Sequence, residues 1–210
     1  MSHSQKTYYI DVPEGAGNTY DFNNIPPALP QNTQHILTSG CHTCVGVYFK
    51  IDNERCFCAH INAMFAPGKV RFVKTQEDAD KIKRIVRGKL ERESSASNWT
   101  AAEVRQRAGF PDTVVLVCPM LYSNDERWKQ TGYYVVEAIK EFLELDADFP
   151  VDSESQGFLV HHASGQVKKI PNGGVDHAEK LKSFLAANNL RKANLNLDSW
   201  TIALDSVEYA

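Results

Sequence analysis

The sequence predicts an α/β (α+β) sandwich, a mainly antiparallel sheet with flanking helices, and three observations carry that expectation. Apolar residues recur at period two through Val45, Val47, Phe49 and Ile51, then again after a polar break. Capping-box starts at Thr75-Gln76-Glu77-Asp78 and Thr100-Ala101-Ala102-Glu103 each precede a run with helical spacing. The stretch 113–118 (Thr-Val-Val-Leu-Val-Cys) is continuously apolar, as in a strand covered on both faces. With 210 residues, 42% of them hydrophobic, the chain is long enough to close one core, so a single domain spanning 1–210 is expected.

Taken in order, residues 1–34 hold one strand-like run, Tyr8-Tyr9-Ile10, and a Gly-, Asn- and Pro-rich stretch that cannot be helical. The expectation is an extended N-terminal arm. Residues 45–51 and 55–60, separated by Asp52-Asn53-Glu54, predict a β-hairpin. Helices are expected over roughly 76–91, where the polar run 93–98 should end the first, from Thr100 to a stop at Gly109, over 132–145 and near 175–187. The run 113–118 is expected at the centre of the sheet. Residues 158–162 and 167–170 predict a second hairpin across Ser164-Gly165, Asn172-Gly173-Gly174 reads as a turn, and a last strand is expected around 200–204.

Composition narrows the function classes. A formal net charge of −3 without a like-charge block, and aromatic residues scattered rather than interleaved with basic ones, argue against nucleic acid as a partner. No segment offers the ~20 apolar residues that span a bilayer, and the polar start 1–6 lacks the apolar core of a secretory signal. A soluble, cytoplasmic protein is expected. Five cysteines, four of them between Cys41 and Cys58, are poorly spaced for a disulfide framework and better spaced for chemistry or metal.

The chemistry concentrates in Leu37-Thr38-Ser39-Gly40-Cys41-His42-Thr43-Cys44-Val45-Gly46-Val47, answered by Cys58-Ala59-His60. A thiol beside an imidazole can form a thiolate–imidazolium pair, a nucleophile available near neutral pH. If Asp52–Glu54 close a three-residue loop, Ile51 faces Arg55 and Gly46 lies opposite His60. Cys44 then shares a face with His60, diagonal to it at roughly 7–8 Å, with Gly46 leaving the space between them empty. Extending the strand backwards puts Cys41 on the opposite face, about 16 Å along from Gly46. A bulge at His42-Thr43, made plausible by Gly40, would restore Cys41 as a second candidate.

Thr43-Cys44-Val45-Gly46-Val47 resembles the nucleophile segment of the cysteine–histidine glutamine deamidases, the superfamily that includes the chemotaxis receptor deamidase CheD, the cytotoxic necrotizing factors and the Burkholderia lethal factor. Cys44 and His60 are sixteen residues apart, inside that family's range, and Thr38 stands six before Cys44, where several members carry a threonine that orients the histidine. Ser39-Gly40-Cys41 resembles the toxin form of the motif, although Cys41 to His60 is nineteen. The resemblance covers about thirty residues, from Leu37 to roughly Phe65. It implies an α/β sandwich, thiolate attack on a glutamine carboxamide of a protein substrate, loss of ammonia, hydrolysis of the thioester with help from His60, and no cofactor. The expected catalytic set is Cys44, His60, Thr38 and, in the second register, Cys41.

The rival is metal. Cys41, Cys44, Cys56, Cys58 and His60 supply enough soft ligands for a tetrahedral zinc, which would make the chain a zinc-stabilised, non-catalytic interaction domain. His161-His162 and His177 read as surface or turn residues.

Overall fold

A computed structural model describes residues 7–25, 29–30, 32–63, 72–121, 129–172, 176–193 and 198–199. They form an α+β sandwich of two sheets packed face to face with helices outside, rather than one sheet. The first sheet runs in the order β10 (Gln166–Pro171), β9 (Ser155–His161), β3 (Thr33–Ser39), β1 (Thr7–Asp11), β11 (Leu190–Ala193). Its β1–β3 and β1–β11 pairs are parallel and the others antiparallel. The second sheet is antiparallel throughout, in the order β12 (Asp198–Ser199), β2 (Ala16–Asp21), β5 (Arg55–Ile61), β4 (Val45–Lys50), β7 (Val115–Val117). A small pair, β6 (Phe72–Val73) with β8 (Lys129–Gln130), stands apart.

Alternation along the strands sorts side chains between two interfaces. Val45, Val47 and Phe49 of β4, with Phe57, Ala59 and Ile61 of β5, face α1 (Gln76–Ala96) and α3 (Thr131–Leu143), meeting Ile82, Val86, Leu90, Val135 and Ile139. The intervening Tyr48, Cys56 and Cys58 point the other way, toward Ile10, Ile36, Phe158 and Val160 of the first sheet. The outer face of the first sheet, through Tyr9, Leu37, Leu159 and Ile170, is covered by Leu181, Phe184 and Leu185 of α4 (His177–Ala187). Both faces of each sheet are therefore partly dry, which is why β4 and β5 are buried at nearly every position.

The 45–61 hairpin forms with the register that its turn length dictates, Gly46 opposite His60 and the Ile51 N–H donating to the Arg55 carbonyl at 2.9 Å. Thr75 caps α1, and Thr100 with Glu103 makes a complete capping box on α2 (Ala101–Gln106). The second hairpin, β9 with β10, and α4 also lie where the pattern puts them.

Four expectations are corrected. Residues 7–21 are not an arm: β1 lies inside the first sheet and β2 beside β5, because Ile10, Val12 and Tyr20 are buried between the sheets. α1 runs through its polar end to Ala96, since Glu93 is itself buried and its Oε1 accepts from the Thr19 backbone N–H at 2.7 Å and the Ser97 hydroxyl at 3.0 Å. Strand β7 sits at the edge of its sheet, not the centre; its apolar run reflects cover on both faces, and the 152 segment bonds to its open side through Leu116 and Cys118. His162 is buried, its imidazole stacked on Phe22 with ring centroids 4.3 Å apart. The strand expected at 200–204 and the turn at 173–174 lie outside the described residues. No described helix is long and apolar enough to cross a membrane.

Candidate active site

The segment 40–44 does not continue β4 backwards. It crosses from β3 in the first sheet to β4 in the second, turning at Gly40, whose φ of +80° is a left-handed conformation that glycine adopts without strain. The Cys41 N–H then bonds the Gln156 carbonyl at 3.0 Å and the His42 N–H turns back to the Gly40 carbonyl. This crossing overturns the placement of Cys41 on the far face. Its sulfur lies in the inter-sheet core, 3.2 Å from where a Cβ on Gly46 would stand, with Thr38 Cγ2 at 3.2 Å and Phe158 Cε1 at 3.1 Å. The space beside Gly46, expected to be empty, is filled by these three groups, and a glycine there is what allows β3 to approach so closely.

Thr38 and His60 meet across that interface. Each points inward from its own sheet, and Thr38 Oγ1 lies 2.9 Å from His60 Nδ1 and 2.9 Å from the Val12 carbonyl oxygen. A carbonyl only accepts, so the hydroxyl donates to Val12 and is left to accept from Nδ1. The network thereby assigns the proton of neutral His60 to Nδ1 and the lone pair to Nε2. Nε2 is buried and has no hydrogen-bond partner, so neither sulfur is bonded to it. Cys44 is turned instead toward Glu14, its Sγ 3.6 Å from Oε1.

Glu14 belongs to the β1–β2 turn, which embraces the site at three points. The Val12 carbonyl holds Thr38, the Gly15 N–H donates to the His60 carbonyl at 2.9 Å, and the exposed Glu14 carboxylate lies against Cys44. Sequence reasoning missed this contribution. Pro13-Glu14-Gly15 announces a tight turn, but nothing local to it tells which strands it will cover.

Electrostatics keep the thiols and the imidazole uncharged at rest. Burial, helped by the nearby His42, pushes His60 down to about 4. Burial and then the Glu14 charge push Cys44 up to about 11, against the Ala63 backbone and Thr43 hydroxyl, which favour its thiolate. Cys41 is raised well above the ordinary thiol range by burial and then by Cys44. Near pH 7 the site holds a thiol and an unprotonated imidazole rather than a preformed ion pair.

All five cysteines are unpaired and buried. Cys56 and Cys58 pack among Tyr48, Tyr20 and Ile36 between the sheets. Among the described residues no group of three or more His, Cys, Asp or Glu side chains is arranged to hold a metal ion, which counts against the zinc array built on Cys41, Cys44, Cys56, Cys58 and His60. His42 is held by Gln156, Nε2 to Nδ1 at 2.7 Å, and stands edge-on to His177.

The described fold and site define an α+β sandwich with a buried Thr–His pair at a sheet crossing, Cys41 packed beside Thr38 and Cys44 turned to Glu14. No protein-family model and no curated protein sequence matches the chain.

Proposed function

We propose that this chain is a cysteine-dependent amide hydrolase, a protein-glutamine deamidase, with Cys44 as nucleophile, His60 as base and then acid, and Thr38 as the residue that orients His60. The observation that carries the reading is the Thr38–His60 hydrogen bond with its consequence at Nε2. With the proton on Nδ1, the Nε2 lone pair is the one left without a protein partner, which suits a group that takes up a proton. The short resemblance to the glutamine deamidases supports the same roles for the same residues.

Cys44 is preferred to Cys41 because it is the thiol in contact with an exposed group, Glu14, whereas Cys41 is packed into the inter-sheet core. Cys41 keeps a claim through Thr38, whose hydroxyl is also its neighbour.

In the reaction the Cys44 sulfur bonds to the carboxamide carbon while its proton passes to His60 Nε2. Collapse of the adduct breaks the C–N bond, and His60 returns the proton to the departing nitrogen as ammonia. Water, losing a proton to Nε2, then bonds to the thioester carbon, and the C–S bond breaks to give the carboxylic acid and the free thiol. Since thiol and imidazole both rest neutral, the first proton transfer accompanies attack rather than preceding it.

The test is ammonia release from glutamine-bearing protein substrates by wild type, Cys44→Ser, Cys41→Ser and His60→Ala. Loss in Cys44→Ser and His60→Ala with retention in Cys41→Ser is the expected pattern. Retention in Cys44→Ser with loss in Cys41→Ser assigns the nucleophile to Cys41, and no release by wild type on any substrate removes the reading.

A further inference from the structure

The amide-hydrolase reading leaves Glu14 without a task, yet its carboxylate is the one acidic group in contact with Cys44 among the described residues, and it is exposed at the rim of an otherwise buried site. It is also held in place. Pro13 restricts the turn that carries it, the Ala16 N–H closes that turn on the Pro13 carbonyl at 3.0 Å, and the adjoining Gly15 N–H is tied to the backbone of His60.

Resting on that reading, we infer that Glu14 is a specificity-determining residue: its carboxylate accepts the N–H hydrogens of the carboxamide presented to Cys44 and repels the carboxylate that hydrolysis leaves behind. The chemistry of the two ends of the reaction is what makes this position selective. A primary carboxamide is neutral and brings two donors, which an ionised carboxylate can accept. The product has lost both donors and gained a negative charge. An ester or a carboxylate offered to the same thiol has no hydrogen for Glu14, and the anion meets a like charge a few ångströms away.

The same carboxylate explains the cost imposed on the thiol. A negative charge beside Cys44 disfavours its thiolate, so a simple nucleophile would be better without Glu14. Retaining it at 3.6 Å makes sense where the group is needed for recognition and where the proton leaves to His60 only as the substrate carbon is attacked.

Paired alkylation tests the charge selection without requiring turnover. Iodoacetamide is a neutral primary carboxamide and iodoacetate its anionic counterpart; the ratio of their rates at Cys44, read by peptide mapping and divided by the ratio for a free thiol, reports what Glu14 discriminates. Wild type should favour iodoacetamide. Glu14→Gln should shift the ratio toward iodoacetate about five-fold, the factor expected for removing one charge some 4 Å away in water, and Glu14→Lys should shift it further in the same direction. Because the side chain is exposed, neither variant should lose its folded structure, and a merely structural role would leave the ratio where it was. A ratio unchanged in both variants overturns the inference whatever the ammonia assay reads. A shifted ratio in a protein that releases no ammonia overturns the hydrolase reading and leaves the charge selection at Cys44 standing. With an active protein, Glu14→Gln should also raise the KM for a glutamine substrate and strengthen inhibition by the matching glutamate product; unchanged values of both would overturn the recognition role.

Discussion

Two histidines sit between the sheets at opposite ends of the 45–61 hairpin, and they differ in how their ring nitrogens are held. His162, at the turn end, has both ring nitrogens occupied: Nδ1 pairs with the Tyr48 hydroxyl at 3.2 Å and Nε2 with the Asn53 carbonyl oxygen at 3.0 Å, while Phe22 stacks on the ring. His60, at the open end, has Nδ1 held by Thr38 and Nε2 bare. Burial pushes both down to about 4, so the pKa alone does not tell them apart. The hydrogen-bond account does. On the proposed hydrolase reading, a histidine with both ring nitrogens held belongs to the frame, and His60, with Nε2 unpaired, is the one that moves the proton.

The distinction fails if the two can be exchanged in function. His60→Ala should lower ammonia release by about two to four orders of magnitude, the usual range for a general acid–base group. His162→Phe should leave activity per folded molecule intact while costing about 1–3 kcal/mol of stability, because the Tyr48 hydroxyl is stranded, as measured by urea midpoints. A His60→Ala variant with unimpaired release would remove the difference between them.

Acid should reveal what the two share. A histidine held at about 4 in the folded protein and near 6.5 unfolded means that the unfolded chain binds more protons between those values. Stability therefore rises from pH 4 to 6.5 and is lost as pH falls through that window, by up to about 3 kcal/mol for His60 and by less for His162, whose imidazole is better screened by solvent. Denaturation curves at pH 7 and pH 5 should differ less in His162→Phe than in wild type; an equal difference would show that His162 does not contribute.

Thr38→Val probes the assignment of the lone pair. The side chain keeps its shape but strands Nδ1 and the Val12 carbonyl, so the expected loss is about 10- to 100-fold in kcat together with ~1–3 kcal/mol of stability. Thr38→Ser should restore most of both. A valine variant with unchanged kcat would reduce Thr38 to a packing role.

The smallest effect concerns Gly46, opposite His60. Gly46→Ala places a Cβ 3.1–3.2 Å from Phe158, Cys41 and Thr38, which must give way, at a cost of about 1–2 kcal/mol seen as a lower Tm. A rise in Tm would mean that this face of the interface is looser than its contacts indicate.

Much of this architecture is legible in the amino-acid sequence. The turn length at Asp52–Glu54 places Gly46 opposite His60, and the side-chain hydroxyls of Thr75 and Thr100 mark the starts of their helices. These features depend on neighbours within one turn or one hairpin, where period and reach are set by backbone geometry. Thr38 is a different case: its offset from Cys44 singles it out in the sequence, and its hydroxyl does meet the imidazole of His60, although Thr38 and His60 come from different sheets. The thiols are less legible, since their positions depend on where the chain leaves one sheet for the other.

Local pattern is thus sufficient for the α+β class, the hairpin register and the helix starts, because alternation, capping and loop closure are constraints that a few adjacent residues settle. Only the packed molecule makes β1 and β2 integral strands, puts β7 at an edge, carries Cys41 beside Thr38 through the crossing at Gly40, and brings Glu14 to rest on Cys44. Those outcomes follow from which apolar faces bury one another across long stretches of chain, a choice made by the whole core at once and written in no single segment.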